Sequence, residues 1–169
     1  MVAIYISVGS NVDAASNVQG GVLALQRDFG VLRVSRVYES ESVGFTGENF
    51  LNLVVSVDVP NLSVDEVSRL LSDIEDAHNR DRATPRFSPR TLDLDLLLYG
   101  DAVYRSQGIN LPRDEITKNA FVLAPLAELA PNLNHPVLKQ SYQSLWAAYD
   151  KESQRLWPID FVWPDELHA

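Results

Sequence analysis

The sequence predicts an α+β fold of the ferredoxin-like type, β-α-β-β-α-β, with two helices on one face of an antiparallel sheet and a C-terminal extension. Three observations predict it. A β-branched run, "VAIYISVG", opens the chain; residues 50–59 alternate strictly between two faces; and two stretches with helical spacing separate the strand-like runs in the required order. The second face of such a sheet is left available for a ligand.

Residues 2 to 9 form the first strand, and Gly9-Ser10-Asn11 turns the chain out of it. From about Ala14 to Phe29, Val18, Val22, Leu25 and Phe29 fall on one helical stripe, which Gly30 ends; Gly20 and Gly21 weaken this helix. Residues 31 to 38, "VLRVSRVY", read as the second strand. In "FLNLVVSVDV", Leu51, Leu53, Val55, Val57 and Val59 share one face, while Phe50, Asn52, Val54, Ser56 and Asp58 share the other. Ser63-Val64-Asp65-Glu66 is a capping box, and Val67, Leu70, Leu71 and Ile74 continue a helix to about His78. The fourth strand lies within "RFSPRTLDLDLLLYG", residues 86–100. Two short helices follow, around Phe121 to Leu129 and Leu145 to Tyr149. The aromatic tail, residues 155–169, carries Trp157, Phe161 and Trp163 and is expected to pack along the domain.

A chain of 169 residues suits one domain spanning 1–169. No run approaches the roughly eighteen apolar residues of a membrane span, and the N-terminus lacks a signal peptide's basic region, so a cytoplasmic protein is expected. Cysteine is absent, which removes disulfides, thiolate nucleophiles and cysteine zinc sites. A net charge of −9 argues against nucleic acid and anionic membranes as partners. Against that charge, Arg80, Arg82, Arg86 and Arg90 place four of the 14 basic residues in one short loop.

That loop runs directly into the Asp93/Asp95 pair. In a strand, Thr91, Asp93, Asp95 and Leu97 point one way, and Leu92, Leu94, Leu96 and Leu98 point toward the helices. The carboxylates then stand with Cα atoms roughly 6.5 to 7 Å apart. Like charges that close call for a cation, and two magnesium ions about 3.5 to 4 Å apart fit such a bracket. Mg²⁺ keeps part of its shell for water and phosphate oxygens, and guanidinium groups grip phosphate in pairs of hydrogen bonds. Carboxylates, metals and arginines together suit a polyphosphate. An Asp-x-Asp on a wet strand face is more often merely solvated, and so is an arginine run; their adjacency carries the reading. Neither a P-loop nor a dinucleotide-binding glycine motif occurs.

Elsewhere the signals are weaker. His78, His135 and His168 lack metal-ligand spacing. Asn52, on the non-core face beside Phe50, has an amide suited to a heterocycle edge. Phe87 and Phe121 read equally well as core residues.

The run "RFSPRTLDLDLLLYG" resembles the signature of the 6-hydroxymethyl-7,8-dihydropterin pyrophosphokinase family of folate biosynthesis. The resemblance extends over nearly the whole chain, through "YISVGSN", Tyr38, Val43-Gly44, "FLN", "IEDAHNRDR" and "FVLAPLAELAP". It implies transfer of the pyrophosphoryl group of ATP to the hydroxymethyl oxygen of a reduced pterin, releasing AMP, with two Mg²⁺ on Asp93 and Asp95. It also implies a pterin pocket of Ser40, Val43, Gly44, Phe50, Asn52 and Phe121. Glu75, Arg80, Arg82, Arg86, Phe87 and Arg90 fall on the nucleotide side, and Arg80 and Arg90 join the two aspartates as catalytic groups. A monomer is favoured. The runner-up is a non-catalytic paralogue that binds pterin as a sensor or interaction module.

The departures from the family pattern cluster on the nucleotide side. Arg113 and Asp114 stand where the family usually has histidine and its neighbour, Asn119 where it has arginine, Phe87 for tryptophan, Ser88 for glycine and Glu41 for a pocket proline. Arg113 and Lys118 are expected to supply the missing nucleotide-side charge.

Overall fold

The computed structural model describes residues 1–41, 48–78, 91–106 and 108–167. The strands are β1 (Val2–Ser10), β2 (Arg33–Val34), β3 (Val37–Ser40), β4 (Phe50–Val59), β5 (Asp93–Tyr99), β6 (Tyr104–Ser106), β7 (Ile109–Leu111) and β8 (Leu156–Ile159). The helices are α1 (Ala14–Phe29), α2 (Val64–His78), α3 (Ala120–Leu129) and α4 (Tyr142–Ala148), with a 3₁₀ turn at Asp114–Thr117. The main sheet is antiparallel in the order β5-β1-β4-β3-β8, and β2 also pairs with β4.

The expected second strand divides in two at Ser35. Its hydroxyl accepts from the Val54 N–H (3.0 Å) while its own N–H donates to the Val54 carbonyl (3.0 Å), so a side chain replaces one rung of the ladder. The capping box forms as expected. Glu66 N–H donates to Ser63 Oγ (3.2 Å) and Ser63 N–H to the Glu66 carboxylate (3.1 Å), hydrogen bonds that hold that carboxyl below its ordinary range.

On one face of the sheet, α1 and α2 bury Leu51, Leu53, Val55, Val57 and Val59 together with Ile4, Ile6 and Val8. Gly20 and Gly21 have a packing reason. A Cβ on Gly20 would lie 2.9 Å from His78 Nε2 of α2, and one on Gly21 would lie 2.9 Å from Leu92 Cδ1. The pair that weakens α1 as an isolated helix lets it settle onto α2 and the start of the signature strand.

The second face is not bare, which corrects the expectation of helices on one face only. Helices α3 and α4 bury Tyr5, Val54, Leu97 and Leu98 in a second core. Helix α3, "AFVLAPLAEL", is buried nearly all round, so its sequence shows no polar face from which a one-sided packing could be read. Leu98 is a related correction. The β1–β5 register shifts between Ile6↔Leu96 and Tyr5↔Leu98, leaving Leu97 as an extra residue. This irregularity carries Leu98 across to the second core, whereas Leu92, Leu94 and Leu96 face the first.

Two further pieces lie outside the periodicity signals, the β6–β7 hairpin and β8. Strand β8 pairs with β3. Beyond it Phe161, Trp163 and Leu167 pack against the first core, and Gln19 and Gln26 of α1 donate to the carbonyls of Val162 (2.7 Å) and Glu166 (2.9 Å). The tail therefore packs, as its aromatic content suggests. No helix among the described residues is long and apolar enough to cross a membrane.

Candidate active site

The part of the second face that α3 leaves open is a cavity of about 410 Å³. Its floor follows from strand register. Gly9 pairs with Asp93 on one side and Asn52 on the other, while Ser7 pairs with Asp95 and Val54. Asp93, Gly9 and Asn52 thus form one row across three strands. A Cβ on Gly9 would come within 3.3 Å of Asn52 Oδ1, so glycine keeps the middle of that row low.

At one end of the floor Asn52 is 5% exposed, and its amide donates to Ser40 Oγ (2.8 Å). Ser40 and Phe50 line the cavity from β3 and β4, and Phe121 reaches it from the first turn of α3. At the other end stand Asp93 and Asp95. Arg113 lies against Asp95: its Nη2 is 3.4 Å from Asp95 Oδ1 and its Nε is 3.0 Å from Glu115 Oε2. The Arg113 backbone N–H donates to the Leu97 carbonyl (3.0 Å), which fixes the residue beside β5. Arg113 and Asp95 side chains are 33% and 31% exposed, so water screens the pair and an incoming ligand can exchange with it.

Glu75 projects from α2 to the edge of β5, where its carboxylate accepts from the Leu94 N–H (2.9 Å). Burial pushes its carboxyl up to about 7; the Leu94 hydrogen bond opposes this, and the neighbouring Asp93 and Asp95 add to it. The consequence for stability has a definite sign. Below about pH 4.5 the group is protonated folded and unfolded; between that value and about 7 only the folded chain keeps the proton, so stability falls as pH rises; above about 7 the whole penalty remains. Glu75→Gln in metal-free protein is expected to be more stable than the parent at pH 8, with the difference closing by pH 4. Urea unfolding across that range measures it, and a difference that does not vary with pH would show that burial does not raise this carboxyl.

Among the described residues no three His, Cys, Asp or Glu side chains converge into a self-sufficient metal cage. Two partly exposed carboxylates on one strand face instead suit a hard cation that shares its shell with a phosphate ligand.

Of the residues singled out in the sequence, Ser40, Phe50, Asn52, Asp93, Asp95, Arg113 and Phe121 share this cavity. Glu75 stands next to Asp93 at the strand edge. Lys118 is exposed and does not line the cavity; its carbonyl accepts from the Tyr149 hydroxyl (2.7 Å). Val43, Gly44, Arg80, Arg82, Arg86, Phe87 and Arg90 lie outside the described residues. Ser7, Gly9 and Glu115 line the cavity without having been singled out. Ser7 and Gly9 did leave a signal, since they are small residues at alternate positions of a mostly apolar β1.

The model of the 7,8-dihydro-6-hydroxymethylpterin-pyrophosphokinase family matches residues 5–131, which takes in β1 through α3 and the whole floor of the cavity. The chain belongs to this family. It is 30% identical over 142 residues to the 2-amino-4-hydroxy-6-hydroxymethyldihydropteridine pyrophosphokinase of Aquifex aeolicus, covering 83% of this chain and 88% of that one. The protein of the same name from Bacillus subtilis is 31% identical over 157 residues, covering 90% and 89%. Longer proteins match as well. The folate synthesis bifunctional protein of Arabidopsis thaliana is 37% identical over 129 residues, covering 75% of this chain and 26% of its own length. The wild-type Plasmodium falciparum HPPK-DHPS structure with pterin and p-hydroxybenzoate superposes with a TM-score of 0.74 at 12% identity, covering 89% of this chain and 43% of that one. At that identity the likeness speaks for the fold.

Proposed function

We propose that this cavity performs the family's reaction, transfer of the pyrophosphoryl group of ATP to the hydroxymethyl group of 6-hydroxymethyl-7,8-dihydropterin. The observation that carries the reading is the single row Asn52, Gly9, Asp93, which sets an amide suited to a heterocycle edge and a carboxylate suited to a phosphate-bound cation on one open floor. The strand order also supports reading the scaffold as ferredoxin-like.

On this reading Asn52 bonds the pterin edge, and Phe121 and Phe50 enclose its ring, with Val43 and Gly44 completing the pocket. Asp93 and Asp95 would hold two Mg²⁺, and such ions would supply charge neutralisation for a triphosphate. Arg80, Arg82, Arg86 and Arg90, which precede the pair in sequence, hold the nucleotide with Phe87. Arg113 lines the cavity beside Asp95 and adds a guanidinium there; Lys118 acts from outside the cavity, in the nucleotide's longer-range field. The hydroxymethyl oxygen attacks the β-phosphorus, and the bond from that phosphorus to the oxygen bridging it to the α-phosphorus breaks. AMP leaves with that oxygen, and the hydroxyl proton passes to solvent. The protein's contribution is in-line positioning and exclusion of water rather than covalent participation.

Incubation with Mg²⁺, ATP and the reduced pterin is expected to yield AMP and pterin diphosphate in equal amounts. AMP formation no faster than in the enzyme-free control would overturn the proposal. Calorimetric titration with a non-hydrolysable ATP analogue and 6-hydroxymethylpterin then tells a pterin-binding module from a protein that binds neither ligand.

A further inference from the structure

The family match ends at Pro131, yet the chain beyond it reaches back to both walls of the cavity. The first wall is the start of α3, which carries Phe121, and that turn is poorly secured by its own residues. Asn119, at the N-cap position, makes no side-chain capping bond, and Pro125 has no N–H to donate to the Phe121 carbonyl. The far end of the helix is differently held: Glu128 accepts from the Tyr38 hydroxyl (2.6 Å) and the Arg36 N–H (2.9 Å), tying it to β3.

At the near end the missing cap comes from Gln154. Its Oε1 accepts from the Ala120 N–H (2.8 Å), and its Nε2 donates to Asn119 Oδ1 (3.1 Å) and the Lys118 carbonyl (3.3 Å). Two residues later Leu156 pairs with Ser40, whose hydroxyl receives the Asn52 amide on the opposite wall. Residues 154–156 therefore bridge the two sides of the cavity. Segment 152–156 also lines a second cavity of about 370 Å³ that shares Ser40, Glu41 and Phe121 with the first.

We infer that Gln154 is a positioning residue for the acceptor pocket, setting Phe121 and Asn119 against the Asn52 wall from a segment outside the family match. The inference rests on reading that pocket as the pterin site. Gln154 touches neither the carboxylate pair nor Arg113, so its influence falls on the acceptor half.

The test compares the full-length parent, Gln154→Ala and Gln154→Glu, each confirmed folded by circular dichroism, for calorimetric binding of 6-hydroxymethylpterin and for KM and kcat with both substrates. The parent serves as the control for the functional reading: if it neither binds the pterin nor releases AMP, that reading fails independently of Gln154. With an active parent, Gln154→Ala removes three side-chain hydrogen bonds and is expected to raise the pterin Kd and KM about tenfold, because only part of their worth reaches the pocket, and to leave the KM for ATP within about twofold. Gln154→Glu keeps the acceptor for the Ala120 N–H but loses the donors to Asn119 Oδ1 and the Lys118 carbonyl, and is expected to recover only part of the loss. An unchanged pterin Kd in Gln154→Ala overturns the inference, and so does an equal loss on both substrates.

Discussion

Asp95→Asn is expected to lower turnover by about a hundredfold to a thousandfold or more while leaving the fold standing. The scale is that of removing one preorganised electrostatic group from a charge-transferring site. The fold should survive because Asp95 lies on an open strand face and its ion pair with Arg113 is partly exposed, a kind of contact that contributes little to stability. Arg113 keeps Glu115 as a partner in the variant. The decisive readouts are AMP formation and calorimetric binding of Mn²⁺ in the presence of the ATP analogue, with the melting temperature as control. Near-parental rates would show that Asp95 is not a metal ligand.

Leu92→Ala is expected to cause the largest loss of stability of any single change at the site's edge. Leu92 is fully buried, and its methyl groups fill the space above Gly21 of α1. Truncation of such a leucine costs about 2 to 5 kcal/mol, because lost burial and the remaining cavity add. For a chain of this size, about 3 kcal/mol lowers the melting temperature by roughly 6 to 12 °C. Gly21 provides an internal check. Gly21→Ala should destabilise the parent, whose Leu92 occupies the space a Cβ needs, yet it should restore part of the loss in Leu92→Ala by filling the vacated volume. Thermal unfolding of the four proteins in this cycle measures the coupling, and strict additivity would show that the two residues do not share that space.

The legible parts of the chain were those where one residue pattern answers to one physical demand. Residues 50–59 alternate because their two faces meet different neighbours, and Ser63 and Glu66 bond each other across one turn, as their spacing suggests. The Asp93/Asp95 pair was legible because acidic residues interrupt an apolar strand only where one face is open. Other features depend on contacts distant in sequence. The register shift that redirects Leu98 is set by pairing with β1, and nothing local marks it. Helix α3 is apolar on all sides, so its sequence cannot say that it divides the second face between a core and a cavity. The glycines of α1 weaken the helix in sequence, and only the positions of Leu92 and His78 give them a packing reason. Gln154 was illegible for the same reason, since its partners are more than thirty residues away.

The row Asn52, Gly9, Asp93 also acts as a ruler. Two inter-strand spacings separate its ends, roughly 9.5 Å, and hydrogen bonding between strands fixes that length as no loop could. On the proposed reading, an acceptor must hold its ring edge at one end while its hydroxyl oxygen reaches the metal-bound phosphate at the other. A side chain on Gly9 would crowd the middle of that row, where a Cβ lies 3.3 Å from Asn52 Oδ1. On that reading the spacing between the ring end of the acceptor and the carboxylate pair is set by the backbone of the sheet rather than by a loop.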